Sequence, residues 1–373
     1  MKTNISKSKA LRLCAFALLG GTMISTTGCN NGNIDINKLF FTVKGNQLEV
    51  AFCDRGASIY SIKYKDQFVT YHPKDKETFI TNNFYGKCLG RVAGRIPDGK
   101  LKIGENEYYL DINETKGGKN NCLHGGTNGL FNKDWTHNIT EDKNYFYVTF
   151  NYTSPADESG FPEILNVKYA YKVSKNDGEL SLDINASSSG LTPVNLSFHP
   201  YFRLGNSGTI EKHKLTVNAN NIAKYDNEGH QTVIGTESVT AEGNSPWNFT
   251  TTKEIGKDIE EAAKKDEVSG GYDHIWCFNN GNIGEHDFEL RNEETNIKLN
   301  VTSEDSDAVI MYSNCWPNLE QEMNDGEKDT KYAAITIEPY TFFTTEKESI
   351  EKLFIDKDKS FARHITYKFS SIS

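Results

Sequence analysis

The chain has 373 residues, of which 36% are hydrophobic and 25% are charged, and its mean hydropathy is -0.60. This composition is typical of a soluble globular protein with one large domain or two ordinary ones. The formal net charge of -10 excludes nucleic acid as a partner, because an acidic protein repels phosphate backbones. The 18 tyrosines and 21 phenylalanines favour β-sheet, where aromatic side chains suit a half-buried pleated surface.

The first 28 residues have the pattern of a secretory signal peptide. An apolar stretch over residues 13–24 is shorter than the ~20 residues of a membrane-spanning helix, and it follows four basic residues, Lys2, Lys7, Lys9 and Arg12. The segment resembles a bacterial lipoprotein signal, in which Cys29 is lipidated, although Thr26 stands where such signals usually carry Leu. Ordinary cleavage with an incidental Cys29 is the alternative. We therefore expect an exported protein, periplasmic or at the cell surface, attached to the membrane through Cys29.

Residues 29–38 are predicted to form a tether, and residues 39–373 a single domain of β-strands. Apolar and polar side chains alternate over residues 145–152 and 165–173. Asn176-Asp177-Gly178 then turns the chain into a further alternating segment over residues 180–184, which predicts a hairpin with the glycine at a positive φ. Further strands are predicted at residues 48–52, 210–217, 288–301 and 333–337. Only residues 257–265 have a helical pattern, with acidic residues early and lysines late.

The cysteines of the body do not form a recognisable metal or disulfide pattern. Their number is odd and no pair has CxxC spacing, so most are predicted to be buried thiols, with one disulfide left open: Cys53, Cys88, Cys122, Cys277 and Cys315.

Five segments combine glycine, histidine, arginine and carboxylates within otherwise ordinary β-strand sequence. They are Gly90-Arg91-Val92-Ala93-Gly94-Arg95, Leu123-His124-Gly125-Gly126, Ser197-Phe198-His199-Pro200-Tyr201-Phe202, Gly270-Gly271-Tyr272-Asp273-His274 and Ile335-Thr336-Ile337-Glu338. Taken singly, each has an ordinary structural interpretation: a hydrogen-bonded histidine, a solvated arginine or a turn-capping aspartate. Glu338 stands out, because it ends the predicted apolar strand over residues 333–337, where a structural carboxylate has little reason to lie.

Together and in this order, the segments resemble the aldose 1-epimerases, the galactose mutarotase family. The loop over residues 154–162 resembles the family's loop before its central hairpin, and the resemblance extends over residues 40–345. It implies an all-β fold, the large antiparallel β-sandwich of galactose mutarotase-like proteins, with a sugar bound in an open cleft.

The resemblance also implies roles for individual residues. Glu338 would be the general base and His199 the general acid that open and close the sugar ring, with an imidazole pKa raised slightly from ~6.5. His124 would be a second donor, and Arg95 and Asp273 would hold sugar hydroxyl groups. Tyr201 and Trp316 are candidates for an apolar wall. The expected partner is a free hexose or pentose, and no cofactor or metal is expected.

The chain departs from the family pattern at Gly94, Phe198, Pro200 and Ile310, where the family usually carries polar residues. Because of these departures the sequence does not identify the preferred sugar. It does not identify the oligomeric state either. The departures also favour the main alternative, a non-catalytic carbohydrate-binding lipoprotein, although a pure binding protein needs no acid–base pair. A different carbohydrate enzyme, a lyase or hydrolase, is a further alternative, but hydrolysis usually requires two carboxylates. A surface scaffold would explain none of the segments.

Overall fold

The computed structural model describes residues 35–372, apart from residues 83, 117–118, 227–231, 244, 267–268 and 279. The predicted signal peptide and Cys29 lie outside these residues. The described residues from Ile36 onward pack as one unit. Among the described residues no helix is long and apolar enough to cross a membrane.

The first half of the chain forms short strands at its start and long strands at its end. They are β1 (Phe40–Lys44), β2 (Leu48–Cys53), β3 (Ser58–Tyr64), β4 (Gln67–Phe68), β5 (Lys87–Leu89), β6 (Arg95–Pro97), β7 (Lys100–Ile103), β8 (Asn106–Tyr109), β9 (Glu114–Lys116), β10 (Lys119–Leu123), β11 (Thr136–Glu141), β12 (Tyr145–Ser154), β13 (Leu165–Ser174) and β14 (Glu179–Ser188).

The second half is built mostly from strands of two to six residues. They are β15 (Thr192–Pro193), β16 (Ser197–His199), β17 (Tyr201–Phe202), β18 (Lys214–Val217), β19 (Asn221–Tyr225), β20 (Val233–Ser238), β21 (Lys253–Glu254), β22 (Asp273–Cys277), β23 (Phe288–Asn292), β24 (Ile297–Thr302), β25 (Ala308–Tyr312), β26 (Ile335–Thr336), β27 (Glu338–Tyr340), β28 (Phe354–Ile355) and β29 (Phe361–Ser371).

Three larger sheets organise these strands. The largest has the order β11-β12-β13-β14-β29-β24-β23-β18-β21, the second β20-β19-β22-β25-β27 and the third β1-β2-β3-β4. Neighbouring strands within all three sheets are antiparallel. Short two- and three-stranded sheets, among them β16-β5, β17-β26 and β6-β10-β9, connect the layers.

The main hydrophobic core lies between the nine-stranded sheet and the other two larger sheets. Tyr171 of β13, Phe52 of β2 and Trp276 of β22 belong to this one cluster of buried side chains. The rings of Tyr171 and Phe52 are 5.2 Å apart, so the sheets are in direct contact. The predicted large antiparallel β-sandwich is therefore confirmed.

Helices are few and short. They are α1 (Lys76–Thr81), α2 (Ile259–Lys265) and α3 (Lys347–Glu351), with 3-10 turns at Ile36–Leu39, Leu130–Asn132, Glu158–Gly160, Ser245–Trp247 and Ile255–Lys257. The helix predicted over residues 257–265 is confirmed from Ile259 onward, whereas α1 and α3 had no distinct sequence pattern. The segment predicted as one strand over residues 288–301 is the hairpin β23–β24, because residues 293–296 turn the chain.

The hairpin β13–β14 is confirmed, but the predicted reason for its glycine is wrong. Gly178 is not among the residues with positive φ. Instead, a Cβ atom at Gly178 would lie 2.1 Å from the carbonyl oxygen of Phe369 in β29. The glycine is therefore required by the close approach of a neighbouring strand. Ser174 supports the turn, since its Oγ accepts hydrogen bonds from the backbone N–H groups of Asn176 and Asp177.

Candidate active site

A cavity of about 450 Å³ brings all five predicted site residues together. They are Arg95, His124, His199, Asp273 and Glu338; His124 directly follows β10, and the other four lie on β6, β16, β22 and β27. The remaining lining residues are Asn82, Phe84, Tyr85, Gly94, Glu114, Thr115, Leu123, Tyr201, Ile310, Tyr312, Asn314, Trp316, Asn318 and Asp329. Segments that are distant in the sequence therefore converge on one concave site.

The strands that carry His199 and Glu338 are joined by buried hydrogen bonds. Ser197 Oγ of β16 donates to the carbonyl oxygen of Pro339 in β27 over 2.7 Å. The buried guanidinium of Arg363 donates to the carbonyl oxygens of both Leu196 and Pro339. These contacts position β16 beside β27 and set the distance between the two candidate catalytic side chains.

His199 and Glu338 form a close, buried pair. His199 Nε2 lies 3.2 Å from Glu338 Oε1, and that oxygen also accepts a hydrogen bond from Thr336 Oγ1 over 2.8 Å. The side chains of His199 and Glu338 are 6% and 1% exposed. Glu338 Oε2 has no hydrogen-bond partner among the described residues, and neither has His199 Nδ1. A buried carboxylate oxygen without a partner is costly, so Oε2 is arranged to receive a hydrogen bond from a ligand. The sequence predicted that Glu338 ends the strand before it. This was wrong, because Glu338 is the first residue of β27.

Burial shifts the pKa values of both groups, and for His199 the shift is opposite to the one expected from the sequence. It raises the pKa of Glu338 to about 8, with the charge of Asp273 adding to the effect of burial. It lowers the pKa of His199 to about 3. The expected upward shift for His199 was therefore wrong, because burial disfavours the charged imidazolium. The resting pair carries a single proton, on Glu338, over the pH range between these two values.

His124 is held in a defined tautomer by the arginine segment. The backbone N–H of Gly94 donates to His124 Nδ1 over 3.2 Å, so the neutral ring carries its proton on Nε2. The backbone N–H of His124 donates in return to the carbonyl oxygen of Gly94 over 2.9 Å. Gly125 makes this contact possible, since a Cβ atom there would lie 1.9 Å from the carbonyl oxygen of Gly90. His124 Nε2 is therefore a hydrogen-bond donor.

Arg95 is held between two carboxylates. Its Nε and Nη2 atoms donate to Glu114 over 2.7 and 2.8 Å, and Nη2 also lies 3.3 Å from Asp273 Oδ2. Burial alone would lower the pKa of Arg95, but the charges of Asp273 and Glu114 raise it above its ordinary value. Among the described residues Nη1 has no partner, and it remains as a donor for a ligand in the cavity.

The other arginine of the same segment has a structural position. Arg91 is buried away from the cavity, and its guanidinium donates to the backbone oxygens of the loop after β12, namely those of Ser154, Pro155, Pro162 and Glu163. It therefore fastens the loop over residues 154–162 to the arginine segment.

Aromatic rings form one wall of the cavity. Phe84 stacks on His199 at a centroid distance of 5.6 Å and contacts His124 edge-on at 5.1 Å. Tyr201 lies 5.1 Å from His199 and 6.3 Å from Tyr312. Trp316 lies at the mouth, 62% exposed. Tyr201 and Trp316, the two residues suggested for an apolar wall, both line the cavity.

Sequence reasoning missed several residues of this site. Thr336 could have been found, since it lies two positions before Glu338 and so on the same face of an extended chain. Phe84, Glu114 and Asp329 had no distinguishing local pattern. Asp329 is buried and accepts hydrogen bonds from the side chains of Tyr71, Tyr85 and Asn314.

Only two of the four departures from the family pattern face the cavity. Gly94 and Ile310 line it, but Phe198 and Pro200 do not. Phe198 points into the hydrophobic core, where its ring lies 5.9 Å from that of Tyr171, because successive residues of β16 face opposite sides. The departures at positions 198 and 200 therefore do not change the lining of the cavity.

The side chains of His124, His199 and Glu338 could in principle hold a metal ion. Their ligand atoms lie within 4.8 Å of one another. A metal-binding imidazole nitrogen must be unprotonated, whereas the hydrogen bond from Gly94 leaves the proton of neutral His124 on Nε2. The three groups therefore fit hydrogen bonding and proton transfer better than metal coordination.

Comparisons with known proteins agree with this geometry. The family model described as aldose 1-epimerase matches residues 40–360. The galactose mutarotase of Homo sapiens is 30% identical over 245 residues, which cover 64% of this chain and 66% of that protein, slightly less than two thirds of its length. The solved structure of galactose 1-epimerase from Lactobacillus acidophilus NCFM is similar, with a TM-score of 0.77 and 22% identity over 90% of this chain and 95% of that one. The structure of a GalM/aldose epimerase homologue from C. elegans has a TM-score of 0.75 and 21% identity, over 90% and 99% of the two chains.

Proposed function

Because the chain belongs to the aldose 1-epimerase family, we propose that it interconverts the α and β anomers of a free aldose through His199 and Glu338. The observation that supports this proposal best is the buried contact between His199 Nε2 and Glu338 Oε1, together with the unpartnered oxygen Oε2 of the same carboxyl group. Interconversion requires removal of a proton from the C1 hydroxyl and delivery of a proton to the ring oxygen. An acid and a base in contact can do both.

The proposed reaction begins with a proton transfer inside the pair. When the C1 hydroxyl donates a hydrogen bond to Glu338 Oε2, it stabilises the carboxylate, and the proton of Glu338 passes to His199 across their 3.2 Å contact. Glu338 then takes the C1 hydroxyl proton while His199 protonates the ring oxygen, the C1–ring-oxygen bond breaks, and the sugar opens to an aldehyde. Rotation about C1–C2 and the reverse steps give the other anomer, and the pair again holds one proton.

The remaining polar groups would orient the sugar. Arg95 Nη1 and His124 Nε2 are donors, and Asp273 is an acceptor. A sugar hydroxyl group can therefore either accept or donate a hydrogen bond here. The aromatic rings of Phe84 and Tyr201 would exclude water from the reacting atoms, which strengthens electrostatic interactions there.

The charges around the cavity favour a neutral sugar over a sugar phosphate. Four carboxylic acids line it, but Arg95 is its single permanent cation among the described residues, and Glu114 and Asp273 already neutralise it. A phosphate group would lack a basic partner and would be repelled. We therefore propose a free hexose or pentose as the substrate.

We further propose that the protein acts outside the cytoplasm as a lipoprotein anchored through Cys29. The support is the signal-like pattern of residues 1–28. Metabolic labelling with a radioactive or clickable fatty acid should label the wild type and not Cys29→Ala. Equal labelling of the two proteins would contradict lipidation at this residue.

Polarimetry of freshly dissolved α-D-glucose, α-D-galactose, α-D-xylose and L-arabinose tests the main proposal. The wild type should accelerate mutarotation of at least one sugar, and Glu338→Gln and His199→Asn should each lower the rate by about 10²–10⁴-fold. Calorimetric binding without acceleration of any sugar would identify a carbohydrate-binding protein instead. Release of shorter sugars from an oligosaccharide would identify a hydrolase or lyase.

A further inference from the structure

The cavity as a whole has more room than a monosaccharide needs, and an exposed aromatic ring lies at its mouth. At about 30 Å³ per heavy atom, the share of one water molecule in the liquid, the twelve heavy atoms of a hexose would fill about 360 Å³ at most. The cavity has about 450 Å³ and extends from the His199–Glu338 pair to the exposed ring of Trp316.

The reacting end of a sugar can only lie at the deep end of this cavity. His199 and Glu338 are buried there, and the strands β16 and β27 close the space behind them. C1 and the ring oxygen of the sugar must contact this pair. Any group attached to the opposite side of the sugar therefore extends towards the mouth, where Trp316 is 62% exposed.

The exposed indole of Trp316 is held in place and does not belong to a loosely attached loop. Its backbone N–H donates to the hydroxyl of Tyr312 over 2.9 Å. Its ring packs over Gly270, where a Cβ atom would lie 3.2 Å from Cζ2 of the indole. A Cβ atom at Gly270 would therefore press on the indole, which would have to shift by a few tenths of an ångström.

Asp329 anchors the same rim from below. This buried carboxylate accepts a hydrogen bond from the backbone N–H of Asn318 over 2.8 Å and from Nδ2 of Asn314 over 2.9 Å. The backbone N–H of Asp329 donates to Gln321, and that of Gln321 donates to Asn318, which closes the loop on itself. An indole at the mouth of a cavity that also holds polar groups offers an apolar face on which part of a ligand can stack.

The chemistry of the rim fits a second sugar ring. The faces of a pyranose carry C–H bonds that pack against an indole, and its edges carry hydroxyl groups. Trp316 offers such a face together with an indole N–H that has no partner among the described residues, and Asn318 next to it offers an exposed amide. Aromatic anchors with a few polar groups are the usual lining of a small-molecule site. No basic side chain lines this part of the cavity in the described chain, so an acidic sugar has no partner here.

Resting on the proposed epimerase function, we infer that Trp316 forms a second sugar subsite, which raises kcat/KM for a hexose that carries a second sugar ring above kcat/KM for the same hexose alone. The reducing sugar lies at His199 and Glu338, and the sugar linked to it stacks on Trp316. The rate at the reducing end then depends on binding energy from a ring that does not react.

The test compares α-D-glucose with β-maltose and α-lactose, since each has glucose as its reducing sugar. We expect a higher kcat/KM for at least one disaccharide than for glucose. Trp316→Ala should lower the ratio of the disaccharide kcat/KM to the glucose kcat/KM by about tenfold, and Trp316→Phe should retain part of it. Tyr109→Ala removes an equally exposed aromatic side chain outside the cavity and should leave the ratio as it is. The subsite would be overturned if kcat/KM for both disaccharides were below that for glucose and Trp316→Ala did not change the ratio of the two.

A separate readout keeps this inference distinct from the proposed function. If no sugar is turned over, the epimerase proposal fails, and titration calorimetry with maltose and glucose judges the subsite alone. Tighter binding of maltose that Trp316→Ala abolishes would support the subsite. Equal affinity for the two sugars in the wild type would exclude it.

Discussion

The nine-stranded sheet and the cavity wall differ in how their strands are assembled. β12, β13 and β14 have ten residues each and follow one another as hairpins, so their partners are close in the sequence. β16 and β27 have three residues each, and they carry His199 and Glu338 to within 3.2 Å across 139 positions of sequence. Local alternation is enough to build the first region, whereas the second depends on the packing of the whole domain.

The two regions also treat polar groups differently. The large sheet buries side chains such as Leu182 and Val148 and leaves polar residues on its solvent face. The cavity wall buries His199, Glu338 and Asp273. Buried polar groups reduce the free energy of unfolding unless they are paired. The cavity wall therefore lowers the stability of the domain, and the apolar packing of the large sheet compensates for it.

The sharpest test of this division is Glu338→Gln. We expect kcat to fall by about 10²–10⁴-fold while the protein stays folded. Because burial raises the pKa of Glu338 from 4.5 to about 8, wild-type stability should decrease as the pH rises through this range, since the unfolded carboxyl loses its proton first. A glutamine at position 338 does not titrate, so the stability of the variant does not decrease in this way. The Tm of the variant minus the Tm of the wild type should therefore increase from pH 5 to pH 8. Thermal melts followed by circular dichroism measure this; a constant Tm difference would contradict the assigned pKa direction.

Leu182→Ala should have the converse effect in the large sheet. Leu182 is fully buried in β14, and its removal leaves a cavity that costs about 2–5 kcal/mol of unfolding free energy. Urea denaturation measures the loss. The kcat per folded molecule should stay within about twofold of the wild type, because the site is assembled on other strands. A large loss of kcat at full folding would show that the two regions are coupled.

The pH dependence of kcat/KM follows from the single proton of the pair. Above about pH 8 the pair loses that proton, and kcat/KM should fall by about tenfold for each further pH unit. Because His199 has a pKa of about 3, no acid limb is expected between pH 5 and pH 7. Polarimetry in buffers from pH 5 to pH 9.5, corrected for spontaneous mutarotation, measures the profile. An acid limb near pH 6.5 would instead indicate an ordinary imidazole.

Glu114→Gln should have a smaller effect, on binding more than on chemistry. It removes the bidentate carboxylate that holds Arg95, and the guanidinium can then turn towards Asp273. We expect KM to rise by about tenfold with kcat within about threefold of the wild type. Glu107→Gln, at an exposed carboxylate outside the cavity, is the matched control. A decrease in kcat as large as the increase in KM would place Glu114 nearer to the reacting atoms than proposed.

Alternating side chains in the sequence were sufficient to predict strands and the hairpin β13–β14, whereas the large antiparallel sandwich and the residues that meet in the cavity were implied by the resemblance of five ordered motifs to the aldose 1-epimerases. These predictions succeed because strand periodicity and short ordered motifs are local properties of a chain. Phe198 shows their limit: its neighbour faces the cavity, but the pleat of β16 directs Phe198 itself into the core.

Only the tertiary structure decided the protonation of His199 and Glu338, the contribution of Glu114 and Asp329, and the exposure of Trp316. Each of these depends on atoms that come from distant parts of the chain. A pKa shift requires knowledge of burial, and the position of a carboxylate requires knowledge of the donors around it. The residue types that perform the chemistry are therefore visible in the sequence, but their electrostatic state is a property of the folded domain.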